Sequence, residues 1–178
     1  MWQIRQAEPE DTLALGQIHY QAWIETYTVL IDQAYLDQRS PAKSIAAAER
    51  QGVENVLIAE WDGQPVGFAR YGKTRDTDLP EGFGEIGGPY LLRCALKKGL
   101  GKAMMQTALK ALQEMGFHSV MLWVLDSNRA AIGFYESCGF LYDGTTKEIV
   151  IGTPVHEKRY LMTMIHGDGD CGSINALP

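Results

Sequence analysis

The sequence predicts a single α/β domain built on a mixed sheet with helices on both faces. Three observations predict it. The second half alternates strand, helix, strand, helix, strand, an order that lays helices over a sheet. The first half contains a clear hairpin, two apolar runs separated by Asp62-Gly63. The length, 178 residues, suits one domain, which at this size buries roughly 70% of its unfolded surface without a metal or disulfide staple.

Gln3 to Ala7 alternates polar and apolar residues and reads as an opening strand. Pro9 then suits a first helical turn, and Glu8, Glu10 and Asp11 suit the positive end of the helix dipole. Leu15, Ile18 and Ala22, with Trp23 beside them, form an apolar stripe at helical spacing. Ser40-Pro41 starts a further helix and Gly52 stops it. Asn55 to Trp61 and Gln64 to Tyr71 are the hairpin strands. Thr74 to Gly82, with Asp76, Asp78 and Pro80, is a surface loop. Glu85 to Leu92 is strand-like but holds Gly87-Gly88-Pro89, which predicts a bulge or bend. From Leu100 to Met115, Leu100, Met104, Ala108, Ala111, Leu112 and Met115 oppose Lys102, Gln106, Lys110 and Gln113, a one-sided helix closed by Gly116. Val120 to Leu125 has no polar face and reads as a strand buried on both sides. Asp126-Ser127-Asn128 offers caps for a short helix through Cys138, ended by Gly139. Two last strands, Lys147 to Ile151 and His156 to Met162, are joined by Gly152-Thr153-Pro154. The domain is expected to end near 165, leaving 166–178 as a polar, Gly-rich tail.

Composition narrows the function. Sixteen Lys plus Arg against 22 Asp plus Glu leave a net charge of −6, which disfavours nucleic acid as a partner. Apolar runs are only a few residues long, too short for a membrane span, and Met1 to Arg5 lacks the apolar stretch of a secretory signal. Cys94, Cys138 and Cys171 are odd in number and show no CxxC spacing, so neither a disulfide framework nor a zinc cluster is indicated. A cytoplasmic protein without a metal is expected.

The chemistry concentrates between Arg93 and Lys102, where a strand passes into the one-sided helix. Gly99 and Gly101 fall at its first turn, where orphan N–H groups and the helix dipole favour an anion and glycine admits a phosphate close to the backbone. Arg93, Lys97, Lys98, Lys102 and Lys110 are cations in a stretch with no carboxylate, inside an acidic protein. The spacing fails the P-loop, because Leu96 and Ala103 hold its first and last positions. It fails the dinucleotide fingerprint at Met104.

These residues, with Gly84-Glu85-Ile86, Tyr90-Leu91-Leu92, Leu122 to Leu125, Asn128, Ala131-Ile132, Phe134-Tyr135-Glu136 and Gly139-Phe140, resemble the GNAT superfamily of acyl-CoA-dependent N-acetyltransferases in order and spacing. Ile4-Arg5, Ala22-Trp23, Thr26-Tyr27 and Tyr35-Leu36 look like its first strand and substrate-side helices. The resemblance implies a single-domain GNAT-like fold whose sheet is splayed between two parallel strands to admit acetyl-CoA, the acetyl-donor cosubstrate. It implies that Lys97, Lys98, Gly99, Leu100, Gly101 and Lys102 cradle the pyrophosphate. The backbone at Leu91 and Leu92, together with Asn128, would hold the pantetheine, and the Tyr135 hydroxyl would protonate the departing thiolate. The partners implied are acetyl-CoA and an amine acceptor, with a homodimer admitted. Two departures stand out. Leu96 replaces the usual Gln or Arg, and Gly87-Gly88-Pro89 replaces bulky residues beside the acceptor pocket.

Glu85 is a candidate general base, or else a carboxylate that anchors a loop. Trp23 and Tyr27, with Tyr71, are candidates to wall the acceptor pocket. Trp123 is expected in the core. His19, His118, His156 and His166 show no metal-ligand spacing and read as ordinary histidines. Two rivals make other predictions. A catalytically silent acyl-CoA-binding or sensor module would use neither Tyr135 nor a base, and an unrelated nucleotide-binding protein would prefer ATP or NAD to CoA.

Overall fold

A computed structural model describes residues 1–164, so the expected tail at 166–178 lies outside the described residues. In chain order the elements are β1 (Trp2–Gln6), a 3-10 turn (Pro9–Asp11), α1 (Thr12–Tyr27), α2 (Gln33–Asp37) and α3 (Pro41–Gln51). β2 (Val56–Trp61), β3 (Gln64–Lys73) and β4 (Phe83–Leu91) follow, then a 3-10 turn (Arg93–Ala95) and α4 (Leu100–Glu114). β5 (Ser119–Leu125), α5 (Arg129–Ser137), β6 (Leu141–Ile151) and β7 (Thr153–Thr163) complete the described chain.

Local signals explain most boundaries. Ser40 accepts a hydrogen bond from the Lys43 amide at 3.3 Å, and Pro41 opens α3. Asp62 and Gly63 both have positive φ (49° and 76°), the turn that matches the twist of a tight hairpin. Asn128 Oδ1 accepts from the Ala131 amide at 3.1 Å and caps α5. The ending differs from expectation. β6 begins at Leu141 rather than Lys147, because a bulge at Gly144 (φ 89°) absorbs the Asp143-Gly144-Thr145 stretch without ending the strand. Thr153 and Pro154 belong to β7. Pro154 is tolerated there because β7 gains β5 as a second neighbour only from Glu157.

The seven strands run in the order β1-β2-β3-β4-β5-β7-β6. The one parallel pair is β4–β5, and it is short: Phe83, Gly84 and Glu85 face Ser119, Val120 and Met121. Beyond Glu85 the two strands part. The bulge expected at Gly87-Gly88-Pro89 occurs, since two steps along β3 from Phe68 to Arg70 match three along β4 from Tyr90 to Gly87, with Gly88 at φ 72°. One face of the sheet packs on α4 and α5 through Leu100, Met104, Leu112, Ile132 and Phe140, all buried. The other packs α1 and α3 on β2 and β3 through Leu15, Ile18, Ala48, Ile58 and Phe68. No described helix is long and apolar enough to cross a membrane.

Candidate active site

The parting of β4 and β5 leaves the edge of β4 from Ile86 onward without a strand neighbour on that side. The segment that follows β4 turns into α4 through a strained loop. Lys97 sits at φ 58° and Gly99, the α4 cap position, at φ 85°. Left-handed backbone is ordinary for glycine but uncommon for lysine, and it turns successive amides toward one side. Among the described residues nothing accepts a hydrogen bond from the amides of Lys97 to Lys102, and no acidic residue stands in the first turn of α4. These are the donors an oxyanion group needs. A Cβ on Gly101 would lie 3.3 Å from Leu91 Cδ1 and 3.4 Å from Phe134, a tight fit that asks those side chains to give by a few tenths of an ångström. Leu96 is exposed and adds no polar group. Lys98 Nζ lies 4.4 Å above the Trp61 ring.

Leu91 projects to the α4 face. The backbone of Leu92, expected to pair with pantetheine, is already engaged: its amide donates to the Val66 carbonyl (2.9 Å) and its carbonyl accepts from the Ala95 amide (2.8 Å). Leu91 and the open edge before it are therefore the backbone on offer.

Tyr135 is buried, its ring packed against Phe134 (5.5 Å between centroids) and Phe140 (6.3 Å). Burial, reinforced by the neighbouring Tyr27 and Tyr90 hydroxyls, pushes its phenol far above the usual range, so it stays protonated at any physiological pH. Tyr27 is shifted the same way by burial and meets the Asn128 side chain. Helix α1, strand β4 and helix α5 thus bring three phenols together at the splay. Trp23 packs on Tyr27 at 4.6 Å.

Glu85 is held by Arg75. The Arg75 Nη2 lies 2.7 Å from Oε1, and its backbone amide donates to Oε2 at 3.2 Å. In this state Glu85 anchors the β3–β4 loop. That loop is itself clamped by buried Arg159, which donates to Asp76 (2.9 Å), Asp78 (2.8 Å) and Asp143 (2.7 Å). Trp123 is not plain core as expected. Its indole donates to Asp76 at 3.4 Å, and Lys147 Nζ covers its ring at 3.9 Å.

On the α1/α3 face a cleft of about 520 Å³ runs alongside Glu85, lined also by His19, Ser44, Arg70 and Tyr90. Arg70 and Tyr90, which line the cleft, and Arg39 and Glu157, whose charges reach its aromatic residues, were not singled out as site residues by sequence. His19, expected to be an ordinary histidine, packs edge-on to Tyr90 (5.0 Å) and Trp23 (5.8 Å). Burial pushes its pKa down to about 4, with Arg39 and Arg70 adding to the effect. Tyr71 packs against the α4-side core and also borders the cleft.

The family model described as the acetyltransferase (GNAT) family matches residues 15–140. The uncharacterized N-acetyltransferase YuaI of Bacillus subtilis (strain 168) is 29% identical over 136 residues, covering 75% of this chain and 77% of that protein. The probable N-acetyltransferase Rv2775 of Mycobacterium tuberculosis is 29% identical over 148 residues, covering 80% of this chain and 82% of that one. Among solved structures, yncA, a putative acetyltransferase from Salmonella typhimurium with its cofactor acetyl-CoA, matches with a TM-score of 0.70 at 20% identity, covering 97% of this chain and 99% of that one. The PaiA N-acetyltransferase of Thermoplasma acidophilum in complex with coenzyme A matches at 0.67 and 22% identity, over 89% and 98%. These two structures share the fold. The matched segment contains the splayed strand pair, the uncapped start of α4 and Tyr135, and on that match the chain belongs to the GNAT family of acetyltransferases.

Proposed function

We propose that the protein transfers the acetyl group of acetyl-CoA to a primary amine by direct attack on the thioester. The observation that carries this reading is that the unpartnered amides of Lys97 to Lys102 open α4 just after the strand that parts from β5, while Tyr135 is buried in the core under α4. When bound, acetyl-CoA supplies a thioester: the amine nitrogen bonds to its acyl carbon, the carbon–sulfur bond breaks, and sulfur leaves with the electron pair.

The amides of Lys97, Lys98, Gly99, Leu100, Gly101 and Lys102 hold the pyrophosphate, and the three lysines add an attraction that salt screens. The open edge of β4 at Leu91 holds the pantetheine, and Asn128 borders it from the start of α5. Trp23 and Tyr27 wall the acceptor side. Tyr135 stays neutral, so it serves as an O–H donor to the sulfur that gains charge. Its raised pKa favours a hydrogen bond over complete loss of the proton. Glu85 takes the proton released by the acceptor nitrogen once Arg75 swings aside, directly or through water.

Replacing Tyr135 with Phe keeps the ring and removes only the donor. Acetyl-CoA affinity by calorimetry should be near normal. Turnover against an amine panel should fall tenfold to a thousandfold, about 1.4 to 4 kcal/mol of barrier. Unchanged single-turnover rates would remove Tyr135 from the chemical step. Tight acetyl-CoA binding with no transfer to any amine, in the unaltered protein, would replace the enzyme with a binding module.

A further inference from the structure

The acceptor side carries charge that acetyl transfer to a plain amine does not require. Among the described residues two buried side-chain atoms have no hydrogen-bond partner, Trp23 Nε1 and Arg39 Nε. They belong to one cluster, for the Arg39 guanidinium lies 4.2 Å from the centroid of the Trp23 ring. Both atoms are N–H donors, so neither can satisfy the other. The Tyr90 hydroxyl is the polar group toward which the indole points, but no hydrogen bond of normal geometry forms between them. Arg70 stands on the neighbouring strand. It gives one hydrogen bond to the Gly52 carbonyl at 3.0 Å, and neither it nor Arg39 has a carboxylate within salt-bridge reach among the described residues. His19 packs on the Trp23 and Tyr90 rings and, in either protonation state, supplies no negative charge.

A partly buried guanidinium without an anion is costly, and a buried donor without an acceptor costs about 1–3 kcal/mol. A ligand that brings an acceptor oxygen and a negative charge removes both costs. Two carboxylates belong to the same region, each already paired with a cation: Glu85 with Arg75 (2.7 Å) and Glu157 with Lys147 (3.3 Å). Glu85 lines the cleft with Arg70, Lys73, Arg75 and Tyr90, and Glu157 on β7 lies within electrostatic reach of Tyr27, Tyr90 and Arg75. The two unpartnered N–H donors call for a carboxylate, and an ammonium on the same molecule can exchange with Arg75 at Glu85, so the region fits a small molecule charged at both ends. A cleft of about 520 Å³ suits such a ligand, since small-molecule sites span roughly 300–1,000 Å³.

We infer that the acceptor is a small zwitterion of the free amino-acid type, its carboxylate seated on Arg39, Trp23 Nε1 and Arg70 and its amine directed toward Glu85 and Glu157 at the splay. The inference rests on the acetyl-transfer reading of the same site and names its substrate class.

The test is a panel of free amino acids with acetyl-CoA. The best acceptor is then compared with its own carboxamide and its decarboxylated amine. In the unaltered protein kcat/KM for the acid should exceed that for either analogue by about tenfold or more, the scale of one charge-assisted pair. Arg39→Gln and Arg70→Gln should each raise KM for the acid by about tenfold while moving kcat less, and should narrow the gap to the analogues. Arg39→Lys should recover part of the loss. Unchanged CoA affinity by calorimetry in each variant establishes that the fold survives. Equal or better turnover of the decarboxylated amines, or of a polyamine, overturns the inference while leaving acetyl transfer standing. Binding of an amino acid to the CoA-loaded protein, weakened in both Gln variants but without any turnover, overturns its role as acceptor together with acetyl transfer and leaves only the carboxylate seat. Neither binding nor turnover of any amino acid overturns it.

Discussion

His19 shows how a single residue acquires its properties from its surroundings. Its imidazole is enclosed by Trp23, Phe68 and Tyr90, with Arg39 and Arg70 close by, and burial holds its pKa near 4 instead of 6.5. The native state therefore keeps His19 neutral while the unfolded chain protonates it. Its contribution to stability is complete above about pH 6.5 and is lost as pH falls toward about 4. The ring is partly open to solvent, so the difference is worth about 1–3 kcal/mol. Urea unfolding at about pH 7 and about pH 4.5, on the unaltered protein and on His19→Phe, measures it. The unaltered protein should lose that much more than the variant. Equal losses would show that His19 titrates alike in both states. Nothing in the sequence around His19 announces this, because its neighbours come from β3, β4 and the segment after α2. Lys97 to Lys102 is legible for the opposite reason: the cradle is contiguous, so its glycines and cations appear side by side. Arg39 and Arg70 share a site only after the chain has folded.

At the scale of elements the local code is strong. Ser40-Pro41, Asp62-Gly63, Asn128 and Gly116 mark ends that the structure places within a residue or two. The bulge in β4 is readable because two glycines and a proline cannot sustain a regular ladder. What escapes is the closeness of elements. Gly16 lies inside α1, where a glycine is unfavourable by propensity. The fold uses it because a Cβ there would meet Ile45 Cα at 2.4 Å and Ile45 N at 2.7 Å, the backbone of α3. Gly16→Ala should therefore push the helices apart and cost about 1–3 kcal/mol, the usual penalty of overpacking. Gly133 lies in α5 with nothing within 4 Å of its would-be Cβ. Gly133→Ala should be neutral or stabilising by up to about 1 kcal/mol, since it only removes backbone freedom from the unfolded chain. Thermal unfolding of the pair checks the argument through the sign of each shift. A stable Gly16→Ala protein would mean that α1 and α3 can separate without loss.

The whole molecule faces a problem that its topology creates. A sheet whose parallel strands pair at only three positions is weakest where the ligand site opens. On one face α4 spans the gap with buried leucines and methionines. On the other, Arg159 joins pieces far apart in sequence: Asp76 and Asp78 from the β3–β4 loop, Asp143 and Thr145 from β6, and its own β7. Sequence reading leaves Asp76 and Asp78 on a surface loop, since a partner more than 80 positions away leaves no local pattern. Arg159 is 4% exposed. Removing it leaves three carboxylates facing one another beside a buried space, so Arg159→Met should cost about 3–5 kcal/mol, the scale for breaking a buried ion pair from one side. Asp78→Asn should cost much less, because that carboxylate is largely exposed and Asp76 and Asp143 still hold the guanidinium. The loss in Arg159→Met should also be local. Amide exchange across residues 74–82 should accelerate before the rest of the sheet opens, and with it Arg75 should release Glu85. Urea unfolding and hydrogen exchange on the two variants decide the matter. A stability change in Arg159→Met no larger than in Asp78→Asn, with protection of 74–82 intact, would show that the loop is held by its own turns and not by the clamp.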